Sequence, residues 1–435
     1  MNLQESSMAR AARWLTFGAA ASIVFSIAIF NILMGLALAA LLFSGEKIRL
    51  PRIKLPLGIF MALTVVAWLC SHDPIGDGYP QIRKFWVFCI LLLVFSALRS
   101  LTAIRWLFLT WAGLATISGL RGLVQFIAKM QAAKQAGVDA YSYYVSERIT
   151  GFSSHWNTFS AQEMFALVML ASLFLFGIRV PRRWLWAGCG VLIAVVLYLG
   201  QTRAVWIATA IAMLYLVWFW KKWLVAAIPV LVGLVFLLSP PVMRERFTSL
   251  FHAKEVDSNR FRLIAWNAGV QMIEKHPLLG LGPEGPKYHF QEYVPPDTWA
   301  SRPAGFYQHL HNVYLQYGAE RGIPTLLVFL WLLVQVIVDF WKGLRALPPG
   351  PSDRRFLLQG GIAMVLAMMA EGVAEVNFGD SEPLTMFLVV VGCGYLALER
   401  DLVGSDQSGA EQPGRSHATR QGQGISDQAK LIQGE

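Results

Sequence analysis

Apolar residues in this chain come in long blocks broken by short polar stretches, as in "SIVFSIAIFNILMGLALAALLF" and "LLVFLWLLVQVIVDF". Blocks apolar on every face read as membrane-crossing helices, not as amphipathic surface helices or strands. Crossing about 30 Å of hydrocarbon takes about 20 helical residues. The runs at 11–26, 27–44, 56–71, 84–98, 103–128, 157–178, 184–200, 203–220, 223–239, 311–341, 356–377 and 383–399 are therefore read as spans, about twelve in all and some of them short.

Basic residues give the orientation. Arg10 and Arg13, Lys47 to Lys54, Arg99 and Arg105, Arg179 to Arg183, Lys221 and Lys222, and Lys342 to Arg355 all fall in alternate loops. The opposite loops, "SHDPIGDGYPQ", "GQTR" and "NFGDSE", are mostly neutral or acidic. Both termini are thus expected in the cytoplasm. The first apolar stretch runs into a basic loop with no clear cleavage site, so it reads as a helical hairpin and not a signal peptide.

The expected organisation is a cytoplasmic N-terminus (1–10), nine spans (11–239), a large outer loop (240–310), three spans (311–400) and a disordered cytoplasmic tail (401–435) rich in Gly, Gln and Ser. Within the loop, "SNRFRLIAWNAGVQMIEKHPLLGLGPEG" reads as a helix capped by Ser258 and stopped at His276-Pro277, with Gly280 and Gly282 beyond. The fold class is accordingly all-α: a polytopic integral membrane protein with a helical loop domain.

Composition agrees. Of 435 residues, 55% are hydrophobic and 15% charged, and the mean hydropathy is +0.49. The net charge of +10 does not signal nucleic acid, because the basic residues are scattered between apolar blocks. Cys70, Cys89, Cys189 and Cys393 stand singly, without the spacing of a zinc site or a disulfide framework.

Three places put titratable chemistry on the same side of the membrane. Arg203 opens the eighth span in "GQTRAVWIATA", with Trp206 on its helical face. An arginine inside hydrocarbon costs about 2.5–3.5 kcal/mol, so this one is either an interfacial anchor or a partnered, functional cation. In "NRFRLIAW", Arg260 and Arg262 diverge around a helix, and Arg262 shares a face with Trp266, so Arg262 is the inward-pointing choice; the bland alternative is a solvated basic turn. In "FYQHLHNVYLQYGAERGIP", His309 and His311 would diverge in a helix, so one of them is expected to face a shared cavity, followed by Asn312 and Tyr314. A histidine, ordinarily titrating near pH 6.5, is a natural proton acceptor.

These blocks, in this order and with the middle one on a large outer loop, resemble the signature of the O-antigen ligase and polymerase superfamily. The resemblance covers roughly residues 150–400. It implies a GT-C-like glycosyltransferase of lipopolysaccharide biosynthesis in a bacterial inner membrane. Such an enzyme takes a glycan from undecaprenyl pyrophosphate at the periplasmic face and, as a ligase, passes it to a lipid A-core sugar. The family's essential arginines fall on Arg203 and Arg262 and its essential histidine on His311. The scheme needs no cofactor and no metal, and no Asp-x-Asp or His/carboxylate metal spacing is visible in the outer loops.

The implied chemistry suits these side chains. A glycosyl pyrophosphate has a good leaving group, so the work is to stabilise charge on the diphosphate, which arginine forks do well, and to orient an acceptor hydroxyl. His311 would serve as general base in an inverting displacement. Glu371 and Glu375, four apart near the outer end of the eleventh span, are expected to pair with an active-site arginine, orient His311, bind acceptor or help hold a cation. Arg83, Lys84 and Arg121 are expected either to dock a substrate phosphate or simply to meet lipid phosphates. An O-antigen polymerase, a protein O-oligosaccharyltransferase and a transporter are the competing readings. Ionisable residues gathered at one interface disfavour a transporter, whose sites sit near the midplane.

Overall fold

The computed structural model of the chain describes residues 6–248, 259–300 and 309–399, so Ser258 and the tail lie outside the described residues. Helix α1 spans Ser7–Ser22, α2 Ile27–Phe43 and α3 Lys54–Leu69. A turn at Pro74–Gly78, helix α4 at Tyr79–Arg83 and a 3-10 turn at Lys84–Phe88 lead into α5, Cys89–Ala97. Next come α6 (Leu101–Ala136), α7 (Ala140–Ser146), α8 (Trp156–Phe176), α9 (Arg183–Leu199) and α10 (Arg203–Lys221), with a 3-10 turn before α11 (Ile228–Leu238). Helices α12 (Pro241–Thr248), α13 (Asn259–Lys275), α14 (Gly285–His289) and α15 (Pro296–Ala300) precede α16 (Val313–Ala346), α17 (Asp353–Glu371) and α18 (Ser381–Leu398). Among the described residues every element is helical.

Each expected span coincides with helix, but the lengths differ. Among the described residues, six runs are long and apolar enough to cross a membrane: Tyr79–Ala97, Leu101–Ala136, Trp156–Phe176, Arg203–Leu238, Val313–Ala346 and Ser381–Leu398. Ile27–Phe43, Lys54–Leu69 and Arg183–Leu199 are shorter apolar helices. The expected spans 203–220 and 223–239 join into a single apolar run, broken in backbone by the 3-10 turn Lys222–Ala227. Helix α6 outruns its expected end at 128, because "IAKMQAAKQA" is rich in good helix formers, and stops at Gly137, whose φ of 66° suits glycine.

Helices α8, α17 and α18 form the interior. Helix α17 packs on α8, α10, α16 and α18, and α16 also meets α3 and α13. Several polar groups buried in the helix packing find partners inside the protein, as a low-dielectric surround favours. The Trp111 indole donates to the Ala20 carbonyl (2.7 Å), Gln162 to the Ile23 carbonyl (2.9 Å) and the Tyr395 hydroxyl to Asp339 (2.8 Å).

Candidate active site at the start of α16

The polar stretch before α16 is not helical. Asn312 caps the helix, its Oδ1 accepting from the Tyr314 and Leu315 amides (2.9 and 3.0 Å), so α16 starts at Val313 and not at 311. His311, just ahead of the cap, has φ 50°, a left-handed turn position. That turn overrides the divergence expected from helical geometry. The His311 amide donates to His309 Nδ1 (3.2 Å), and the two rings stand 4.0 Å apart. The turn is pinned on both sides. The Leu310 amide donates to Gln316 Oε1 (2.8 Å), and the Leu310 side chain is buried in a cluster with Ala265, Ala268 and Met272 of α13.

Glu375 reaches this turn from the far side. Helix α17 ends at Glu371, six residues earlier than expected, with Gly372 as its cap, and the Glu375 amide donates to the Glu371 carbonyl (3.0 Å) across one further turn. Glu371 Oε2 accepts from Asn377 Nδ2 (3.2 Å). Glu375 lies in the turn beyond, where Oε1 pairs with the Arg262 guanidinium and Oε2 lies 3.5 Å from His311 Nδ1. Burial opposes the Glu375 charge, but the His311 hydrogen bond and the charge of Arg262 outweigh it and bring the carboxyl to about 2. His309 moves down to about 4, chiefly by burial and then by the like charge of His311, with Glu375 opposing. The Trp266 indole donates to the His311 carbonyl (3.4 Å), so Arg262 and Trp266 arrive at one turn from one face of α13.

The turn is docked by its second arm as well. Asn312 Nδ2 donates to the Val373 carbonyl (2.9 Å), the Tyr314 hydroxyl to the Met369 carbonyl (2.7 Å) and the Val313 amide to the Gly372 carbonyl (2.8 Å). Asn312 and Tyr314 therefore hold α16 against the end of α17.

The glycine-rich turn after α13 locks onto the kink in α16. The Leu281 and Gly282 amides donate to the Ala319 and Glu320 carbonyls (2.8 and 2.9 Å), and the Ile323 amide to the Pro277 carbonyl (2.8 Å). Gly322, at φ 78°, interrupts the helix just before Pro324, and a Cβ there would stand 2.1 Å from the Leu278 carbonyl oxygen. "HPLLGLG" and "AERGIP" are thus two halves of one backbone junction, which fixes α13 and its Arg262 relative to α16.

A cavity of 410 Å³ opens beside the turn. His309, Glu371, Glu375, Lys84 and His155 line it, with Asp380, Glu382, Glu284, Glu320 and Arg321 further round. Lys84 Nζ donates to the Gly379 carbonyl (2.9 Å). Burial and Glu382 raise Asp380 to about 6, against the pull of Lys84.

The other candidates lie elsewhere. Arg203 is buried in the first turn of α10, beside a turn in which the Arg246 Nε donates to the Gln201 carbonyl (3.1 Å). Trp206 faces α9, stacking on Tyr198 at 5.1 Å and donating to the Leu197 carbonyl (3.1 Å). Arg83 and Arg121 are exposed, Arg121 lying 4.8 Å over the Phe152 ring. The Arg260 side chain lies outside the described residues.

Three residues enter that sequence reading had passed over: Arg148, His155 and Arg246. Arg148 lies 5.1 Å over the Trp156 ring, and His155 caps α8, its Nδ1 accepting from the Asn157 amide (3.2 Å). Burial lowers His155, with Arg148 and His311 acting in the same direction and Glu375 against them. The signal was present in "ERITGFSSHWN", an arginine, a histidine and a tryptophan just ahead of a span.

His309, His311 and Glu375 also present donor atoms within 4.8 Å of one another, a grouping able to hold a metal ion that no local sequence spacing reveals. Arg262 occupies one oxygen of the same carboxylate.

The fold and site define an all-helical, multi-pass membrane protein with an arginine, a histidine and a carboxylate joined in a helix-end turn. Residues 188–330 match the family model of the O-antigen ligases, and the resemblance read from the sequence is borne out over that stretch. The match begins in α9 and ends in α16, so it contains Arg203, Arg262 and His311. No curated protein matches the chain.

Proposed function

We propose that this protein is an O-antigen ligase of the bacterial inner membrane, with both termini cytoplasmic and its site on the periplasmic side. It transfers a glycan en bloc from undecaprenyl pyrophosphate to a hydroxyl of lipid A-core. The observation that carries the reading is the double engagement of Glu375, which pairs with Arg262 through one oxygen and faces His311 Nδ1 through the other.

The carboxylate fixes the imidazole ring, as the third member of a base-orienting set does. With Nδ1 turned to Glu375, Nε2 is the atom assigned to the acceptor proton. The acceptor oxygen attacks the anomeric carbon as His311 takes its proton. The bond from that carbon to the diphosphate breaks on the opposite face, so configuration inverts and undecaprenyl pyrophosphate departs. Arg262 meets the charge that grows on the diphosphate, and Arg203, at the start of α10, is assigned to the same charge by the family resemblance alone. No step uses a metal. Lys84 and Glu371 line the cavity wall, and we assign Lys84 to a substrate phosphate and Glu371 to the acceptor.

The test is transfer by purified protein in nanodiscs, given undecaprenyl-pyrophosphate-linked glycan, lipid A-core and EDTA. Wild type is expected to transfer, with Arg203→Ala, Arg262→Ala and His311→Ala inactive. Lengthening of the carrier-linked glycan without transfer to lipid A-core makes the protein a polymerase. Transfer that EDTA abolishes assigns the His309, His311 and Glu375 group to a metal.

A further inference from the structure

A second cavity, of 460 Å³, lies at the opposite end of α17 from the Glu375 turn. Helix α17 has 19 residues, so its two ends stand about 28 Å apart, close to the thickness of the hydrocarbon layer. Leu175 and Phe176 at the end of α8 form one side of this cavity and Phe219 and Trp220 near the end of α10 another, with Leu347, the loop 349–351 and Arg355 completing it. The walls are tied to one another. The Ser352 amide donates to the Phe176 carbonyl (2.9 Å), and Phe219 packs edge-on against Trp341 of α16 at 5.2 Å.

Two cations meet these apolar walls. Arg355 Nε and Nη2 donate to the Gly350 and Pro348 carbonyls (2.9 and 2.8 Å), which fixes the guanidinium against the loop and leaves Nη1 uncommitted. Lys221 Nζ lies 4.7 Å over the ring of Trp220. Among the described residues neither cation has an ion-pair partner, and no carboxylate lines the cavity. Asp353, the acid nearest to Arg355 in the chain, is taken by Arg105 (3.1 Å). By the charge pattern of the loops this is the cytoplasmic end of the bundle.

We propose that this cavity seats one phospholipid with an anionic headgroup, its phosphate met by Arg355 and Lys221 and an acyl chain laid along Leu175, Phe176 and Phe219. Basic pockets between helices at a membrane boundary suit such lipids, because the headgroup answers the cations and the chain answers the apolar wall. A soluble anion would answer the cations alone and leave Leu175 and Phe219 uncovered. The site is separate from the transfer reaction and stands whether or not the ligase reading does.

The experiment uses the whole protein, delipidated in detergent and titrated with phosphatidylglycerol or phosphatidylcholine, with bound lipid counted by native mass spectrometry. Wild type is expected to hold one phosphatidylglycerol at concentrations where phosphatidylcholine does not bind. Arg355→Gln and Lys221→Gln are each expected to weaken phosphatidylglycerol binding by about 5-fold, the worth of one basic residue at an anionic lipid surface. Lys221 is exposed, so its variant carries the test if Arg355→Gln, which also releases the loop, does not fold. Lys47→Gln removes an exposed charge from another basic loop and should leave binding within about 2-fold, since distant surface charges are screened. Leu175→Trp crowds the apolar wall, keeps both cations and should weaken binding as well. Unchanged binding in both Arg355→Gln and Lys221→Gln overturns the proposal, as does an equal loss in Lys47→Gln, which makes the attraction a diffuse field. Phosphatidylcholine bound as tightly as phosphatidylglycerol overturns it too. So does occupancy by inorganic phosphate in place of the lipid when both are supplied, which makes the seat one for a soluble anion.

Discussion

Replacing Glu375 with Gln keeps the side chain's shape and removes its charge. Two routes give the cost. Removing one partner of a buried ion pair costs about 3–5 kcal/mol, because the other charge stays buried; the Glu375 and Arg262 side chains are 7% and 18% exposed. Separately, the carboxyl stands at about 2 in the fold against 4.5 ordinarily, a difference worth roughly 3 kcal/mol. The folded value is depressed, so this stability is fully present above pH 4.5 and is lost as pH falls through 2. At pH 7 the Glu375→Gln protein should therefore unfold several degrees below wild type, and at pH 3 the gap should narrow.

The same variant tests mechanism when crossed with His311→Gln. A positioned general base contributes about 10²- to 10⁴-fold, so His311→Gln should lower kcat by that order with little change in the KM for donor. If Glu375 acts by orienting His311, Glu375→Gln lowers kcat similarly and the double variant is little slower than either single one. The assay is glycan transfer in nanodiscs, with kcat and KM for donor and acceptor measured separately and the pH profile followed from 5 to 9. Losses that multiply in the double variant, or a Glu375→Gln enzyme at full rate, refute the His311–Glu375 unit.

Other consequences can be measured alongside. His309 falls to about 4 from 6.5, so its neutral form stabilises the fold fully above pH 6.5, and up to roughly 3 kcal/mol is lost as pH drops from 6.5 to 4. Thermal unfolding of His309→Gln should show a flatter slope over that window. Gly322→Ala places a Cβ 2.1 Å from the Leu278 carbonyl oxygen at φ 78° and should cost about 3 kcal/mol or more, read as a lower Tm. Asn312→Ala removes both a helix cap and the tie to Val373. A cost of about 1–2 kcal/mol is expected, with a larger fall in transfer rate as His311 loses its seat.

Much of the fold was legible because it follows from rules local in sequence. Apolar blocks gave the helices, "HP" stopped α13 at Lys275, and the spacing of Arg262 and Trp266 brought both to one turn. What failed was the extension of helical geometry to places where a cap intervenes. Asn312 takes the first amides of α16 for its own side chain, so His309 and His311 obey a turn and meet instead of diverging. At the other end, α17 stops at Gly372, so Glu375 lies in a turn beyond the helix and not within it.

The deeper limit concerns partners. Glu375 had four plausible roles in sequence because its distance from Arg262 and His311 along the chain gives no hint of their approach. That approach is set by two remote junctions, "HPLLGLG" on the kink at Gly322 and Val313 on Gly372, which together leave one place where the three side chains can meet. Arg148 was overlooked for a related reason: an arginine in a short polar segment before a span satisfies every rule for an interfacial anchor. It differs from an anchor in lying over the ring of Trp156, next to the His155 that lines the cavity, an arrangement that exists only once the chain has folded.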